Sequence, residues 1–181
     1  MVNEVILVNE NDEVIGTMEK MEAHEKAKLH RAFSVFIFND KGEMLLQQRA
    51  LTKYHSGGLW TNACCSHPGP GDDTPAAASK RLQEEMGFKT SLKKIFDFTY
   101  KSEFDNGLTE HEFDHVFGGI YNGKIQPNPA EVHDYCYKNM DDIETELKTE
   151  PDNYTAWFHI AFPKVKQWAI DHPLLSKELT K

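Results

Sequence analysis

The chain has 181 residues, with 20 Lys and Arg against 29 Asp and Glu for a formal net charge of −9; 39% of residues are hydrophobic and 11% aromatic. This is the size and make-up of one globular domain, residues 1–181, with a sizeable core rather than a disordered chain. The acidic balance argues against a general nucleic-acid binder or a membrane-surface protein, and no apolar run approaches the roughly 18 residues of a membrane span.

Glu4 to Val8 reads as a strand, with a turn at Asn9-Glu10-Asn11-Asp12. Met18 to Lys28 is rich in helix formers. Ala32 to Phe38 and Met44 to Gln48 flank Asn39-Asp40-Lys41-Gly42 as a β-hairpin would. After a loop from Thr52 to Trp60, a short buried strand is expected over Thr61 to Cys65, ending at the Pro- and Gly-rich run from Pro68 to Gly71. A helix follows, with Thr74 as N-cap, Pro75 at N1 and Gly87 as its stop. Lys94 to Lys101 and Glu110 to Tyr121 form strands joined around Asp105-Asn106-Gly107, and Val132 to Lys138 alternates as a further strand. Asp141 to Lys148 and Trp157 to Asp171 read as helices, with a last short helix after His172-Pro173. Many antiparallel strands, one central helix and a helical C-terminus make an α+β fold.

Several groups of residues can carry chemistry. In Cys64-Cys65-Ser66-His67-Pro68, a strand persisting to His67 puts Cys65 and His67 on one face and Cys64 on the other; two small core cysteines and a turn histidine are the plainer alternative. In Glu110-His111-Glu112 the two carboxylates share a face and repel unless a cation or proton lies between them, unless that face is simply solvated. His24 and His30 can serve one metal only if the chain turns between them; surface histidines are the alternative. On the helix, Ala78, Leu82 and Met86 form the buried stripe, Glu85 sits at its edge and Glu84 faces solvent, while an Arg81–Glu85 pair is the ordinary reading of those two charges. Lys20, Arg49, Lys53 and Arg81 concentrate cations near loops of an acidic protein, as an anionic ligand would require. Three cysteines, two adjacent, make a poor disulfide framework and fit a reducing cytoplasm, where the chain is expected to act as a monomer.

Aligned on Gly87, the stretch from Ser66 to Phe88 resembles a degenerate Nudix box, G-x5-E-x7-R-E-U-x-E-E-x-G-U with U apolar. Glu84 and Glu85 fit, but Ser66 stands at the leading Gly, Asp72 at the upstream Glu, Lys80 at the Arg and Arg81 at the Glu after it. A hydrolase would keep those carboxylates for its metals, so a Nudix hydrolase of a small diphosphate compound is the secondary reading. The runs Lys20-Met21-Glu22-Ala23-His24, Leu29 to Ser34, Arg49 to Lys53, Trp60-Thr61-Asn62-Ala63-Cys64-Cys65-Ser66-His67-Pro68, Glu110-His111-Glu112 and Trp157 are similar, in this order, to the motifs of type I isopentenyl diphosphate isomerases.

That resemblance implies a Nudix-like α/β/α sandwich with mixed and antiparallel sheets. It implies interconversion of isopentenyl and dimethylallyl diphosphate, feeding isoprenoid biosynthesis, by protonation at C4 and loss of a proton from C2 through a tertiary carbocation at C3. Cys65 and Glu112 would exchange the protons, assisted by Tyr100, with Trp157, and Trp60 beside it, offering an indole face to the cation. His24, His30, His67, Glu110 and Glu112 would hold a first divalent metal, Mn2+ or Zn2+ (or Mg2+), and Glu85 a Mg2+ bound to the substrate diphosphate. Lys20, Arg49, Lys53 and Arg81 would bind that diphosphate. The expected partner is this small molecule, with no nucleic acid and no membrane.

Overall fold

The computed structural model describes residues 3–172. Its centre is β3 (His30–Phe38), which runs parallel to β8 (Thr109–Ile120) from the His30–Glu112 pair to the Phe38–Ile120 pair. β8 is paired antiparallel with β7 (Lys93–Glu103). The other edge of β3 is shared by β1 (Glu4–Val8) at His30, β6 (Cys64–Ser66) along Phe33 to Val35, and β4 (Met44–Arg49) only at Phe38. β4 pairs instead with β5 (Trp60–Thr61) and β9 (Val132–Lys138), and β2 (Val14–Glu19) closes the outer side of β1.

β3 is apolar on both sides because both are covered. Phe33, Val35 and Ile37 pack under α2 (Thr74–Met86) with Ala78, Leu82, Met86, Cys64 and Phe117. Phe36, Phe38 and Val116 pack on the opposite side with Ile143 of α3 (Met140–Thr149) and Phe158, Ala161, Phe162 and Val165 of α4 (Ala156–Asp171). Helix, sheet and helix therefore form the expected α/β/α layers. The even-numbered stripe of β8 is apolar at Val116 but polar at Glu110, Glu112 and Asp114. One sheet face thus serves as core at one end and as a polar site at the other.

The structure departs from the sequence reading at several points. Met18 pairs with Val5 in β2, so the helix α1 begins only at Lys20 and ends at Glu25. β2 gives no alternating signal because it is an exposed edge, with Val14 and Ile15 both in solvent. The β3–β4 hairpin pairs at its turn alone and then splays, since β6 takes the place beside β3. The strand expected over Thr61 to Cys65 breaks at Asn62-Ala63, where the Asn62 amide donates to the backbone carbonyls of Val35 and Cys64. The N-cap of α2 is Asp73, whose carboxylate accepts from the Ala76 N–H at 3.1 Å, and Thr74 is already helical. Gly87 ends α2 as expected, in the left-handed region at φ 79°. The helix expected after His172-Pro173 lies outside the described residues. No helix among the described residues is long and apolar enough to cross a membrane.

Candidate active site

Four side chains from four segments converge: His24 near the end of α1, His30 at the start of β3, His67 just after β6 and Glu112 in β8. One ligand atom from each lies within 4.8 Å of the others, and all four residues are buried. The turn required between His24 and His30 is present. α1 stops at Glu25, Ala27 adopts φ 50°, and the Lys28 N–H bonds back to the Ala23 carbonyl. The rings of His24 and His30 then lie 4.9 Å apart.

The donor chemistry of this cluster fits a divalent cation. His24 Nδ1 is 2.6 Å from the Lys20 carbonyl and His30 Nδ1 is 2.8 Å from the Lys28 carbonyl. A ring nitrogen donating to a carbonyl leaves the other nitrogen as a lone pair facing inward, the usual arrangement around a bound metal. His24 Nε2 is buried with no partner. His30 Nε2 and His67 Nε2 are 3.2 Å apart, and His67 Nε2 is 2.8 Å from Glu112 Oε1. Converging lone pairs of this kind repel unless a proton or cation sits among them. Burial lowers His24 and, despite the Glu112 carboxylate, brings His67 down to about 4, which favours the neutral, ligating form of both. Burial would raise Glu112, but the His30 and His67 rings hold it well below the usual carboxylate range.

Glu110 shares the face of Glu112 but stands outside this four-atom group. The Tyr100 hydroxyl bridges the two carboxylates, 2.9 Å from Glu110 Oε2 and 2.8 Å from Glu112 Oε2. Glu110 Oε1 is 3.2 Å from His55 Nε2. Burial and the neighbouring Glu112 charge push Glu110 well above its ordinary range.

Cys65 lines the same pocket, while Cys64 is fully buried in the core beneath α2. The alternation read from the sequence therefore holds although the strand ends at Ser66. The Cys65 thiol donates to Asn62 Oδ1 at 3.0 Å and lies 3.5 Å from Ser34 Oγ. Burial, with the Asp114 carboxyl behind Ser34, pushes the thiol well above its usual range and keeps its proton on sulfur. Trp157, 3% exposed, also lines the pocket and donates its Nε1–H to Asn62 Oδ1 at 3.3 Å. Arg49 stacks over its ring at 5.3 Å. Trp60 does not join it; it packs against the core under α4.

Lys20, Arg49, Lys53 and Arg81 all reach this pocket, as does Glu85, which accepts from Arg81 at 2.6 Å and from the Gln47 amide at 3.0 Å. Glu84 faces outward, paired with Arg81 at 2.8 Å. Sequence reasoning missed Tyr54, His55 and Glu131. Tyr54 carries Lys20 over its ring at 4.9 Å, and His55 stacks on Phe104 at 4.8 Å. Both sit in an irregular loop, where no periodicity marks a residue as inward-facing. Their neighbour Lys53 was the one sequence signal pointing to that loop.

The comparisons with known proteins agree with this geometry. The NUDIX domain family matches residues 28–158. A relative from Pectobacterium atrosepticum named isopentenyl-diphosphate Delta-isomerase is 50% identical over 165 residues, covering 91% of this chain and 92% of the relative. One of the same name from Serratia proteamaculans is 47% identical, covering 85% of this chain and 86% of the relative. Among solved structures, a Deinococcus radiodurans protein superposes with a TM-score of 0.75 at 16% identity, covering 89% of this chain and 98% of that one. A MutT protein from Methanosarcina mazei does so with 0.63 at 18%, covering 77% and 94%. At such identities the structural likeness speaks for the fold alone. With the coverage and identity of the named relatives, it follows that the chain belongs to the isopentenyl-diphosphate Delta-isomerases, on the Nudix fold.

Proposed function

We propose that the site interconverts isopentenyl and dimethylallyl diphosphate, with Cys65 and Glu112 as the two proton carriers. The observation that carries this reading is a half-buried thiol sharing one pocket with a tyrosine-bridged pair of carboxyls and an indole. An isolated alkene is a weak base, so its protonation requires an acid that holds its proton until the alkene is placed. Burial keeps the Cys65 proton in place. Glu112, ionised beside Tyr100, is the complementary acceptor. Tyr100 passes its hydrogen bond between Glu110 and Glu112 and fixes their orientation. The Trp157 ring faces the cationic carbon, and its nearly complete burial gives the cation a desolvated face.

Lys20, Arg49, Lys53 and Arg81 hold the diphosphate, and its binding energy orients the hydrocarbon end. His24, His30, His67, Glu110 and Glu112 would hold a divalent metal of the Mn2+ or Zn2+ kind, and Glu85 would hold a Mg2+ that neutralises diphosphate charge. When bound, these ions fix the ligating carboxylates and neutralise phosphate charge. Glu112 as ligand and proton carrier at once is reconciled by its two oxygens: Oε1 faces the histidines and Oε2 faces Tyr100.

The hydrolase reading is disfavoured by α2. Of the carboxylates in its last turns, only Glu85 enters the pocket, and Arg81 occupies a position where the Nudix box has a glutamate. The test is to incubate the protein with isopentenyl diphosphate, with and without chelator. Allylic isomer without released phosphate, abolished by chelator, is the expected result. Phosphate release without isomer would overturn the reading.

A further inference from the structure

Glu131 precedes β9 and stands at the rim of the diphosphate pocket without a role in the reaction above. Its backbone is fixed at the meeting point of three elements. Its carbonyl accepts from the Ala50 N–H at 2.9 Å, its N–H donates to the Asn128 carbonyl at 2.9 Å, and the Asn128 N–H donates to the Glu85 carbonyl of α2 at 2.8 Å. From this mount the carboxylate reaches two pocket cations. Oε2 pairs with Lys53 Nζ, and Oε1 lies 3.6 Å from Arg81. All three side chains are largely withdrawn from solvent, at 18% exposure for Glu131, 21% for Lys53 and 20% for Arg81. Burial alone would raise Glu131, but Lys53 and Arg81 keep it below the usual carboxylate range and ionised. Lys20 and Arg49, by contrast, have no carboxylate partner among the described residues.

We infer that Glu131 is an internal stand-in for the substrate's anionic group, occupying Lys53 and Arg81 until a ligand with enough negative charge displaces it, and so sets a threshold that weakly bound anions do not pass. This rests on the assignment of Lys53 and Arg81 to diphosphate binding. An incoming anion must break the Lys53–Glu131 pair, so its apparent affinity is lowered by the fraction of sites in which that pair is closed. A diphosphate gains several charge-assisted bonds at once and overcomes this, whereas a single phosphate gains fewer.

The experiment measures calorimetric binding of inorganic diphosphate and of inorganic phosphate, with Mg2+ present, to the metal-loaded protein, Glu131→Gln, Glu131→Asp and Lys53→Ala. Glu131→Gln, with nearly the same shape and no charge, should bind diphosphate and phosphate each about tenfold more tightly, because the closed pair taxes every anion that needs Lys53 and Arg81 by the same factor. Glu131→Asp, charged but shorter, should fall between wild type and Glu131→Gln. Lys53→Ala should weaken diphosphate. If Lys53→Ala weakens diphosphate while Glu131→Gln binds it no better than wild type, the stand-in is overturned and the cation assignment survives. Weaker binding by Glu131→Gln overturns it in favour of a role as a Mg2+ ligand. No effect of Lys53→Ala overturns both.

Discussion

Cys64 and Cys65 are adjacent in the chain and lie in different environments. Cys64 touches only the core under α2, whereas Cys65 opens into the pocket with its proton held by burial. Cys65→Ala should lower isomer exchange by roughly 10²-fold or more, the usual loss for an acid–base group, and Cys64→Ala should leave the rate near wild type at some cost in stability. Equal rates for the two variants would sink the assignment. Trp157 tests the carbocation itself. A diphosphate bearing a permanent ammonium near C3 should bind ~10²-fold or more tighter than its neutral carbon analogue. Trp157→Leu should erase most of that advantage, because the ring supplies a cation-attracting face in a desolvated site. Inhibition constants for both compounds against both proteins decide it.

α2 and the segment after β8 illustrate how one element positions another. Gly87 closes α2 at φ 79°, and a Cβ there would stand 2.2 Å from the Gln126 carbonyl oxygen. The Gln126 N–H bonds to the Met86 carbonyl and the Asn128 N–H to that of Glu85, so the same contact seats the segment that ends at Glu131. Gly87→Ala should cost about 1–3 kcal/mol from the left-handed backbone alone, with more from the clash. It should also disturb diphosphate binding, although Gly87 touches no ligand. Urea unfolding measures the first effect and the Michaelis constant the second.

At the scale of the molecule, the His24, His30, His67 and Glu112 cluster joins side chains from α1, β3, the segment after β6 and β8, so a metal bound there should contribute to folding as well as to activity. His67→Ala should lower bound metal, activity and thermal stability together, as read by elemental analysis, isomer exchange and Tm; retention of full activity after metal loss would make the cluster purely structural. The metal-free protein has a defined pH response. His67 titrates at about 4 in the fold against about 6.5 in an unfolded chain. As pH falls, the unfolded chain takes up the proton first. Stability should therefore be intact above about 6.5, decline by up to about 1.4 kcal/mol per pH unit for this group between about 6.5 and 4, and flatten below. Tm against pH for the metal-free protein and His67→Asn checks this, the variant showing the shallower slope.

The sequence by itself determined much of this protein. Local signals are short-range, and they were sufficient for α2 with its buried stripe, for its glycine stop, for the inward Glu85 and outward Glu84, and for the opposite faces of Cys64 and Cys65. The spaced motifs point to the isomerase family without reference to the fold. Edges and partners were decided only by the tertiary structure. β2 is exposed and so carries no alternation, and β3 leaves its hairpin partner because β6 competes for the same edge. The bridging of Glu110 to Tyr100 and His55 rather than to His24, His30 and His67, and the seating of Glu131 against Lys53, depend on residues far apart in the chain. A side chain's identity records what it can bond to. Which of several available partners it meets is fixed by how the sheet, the loops and α2 close around one pocket.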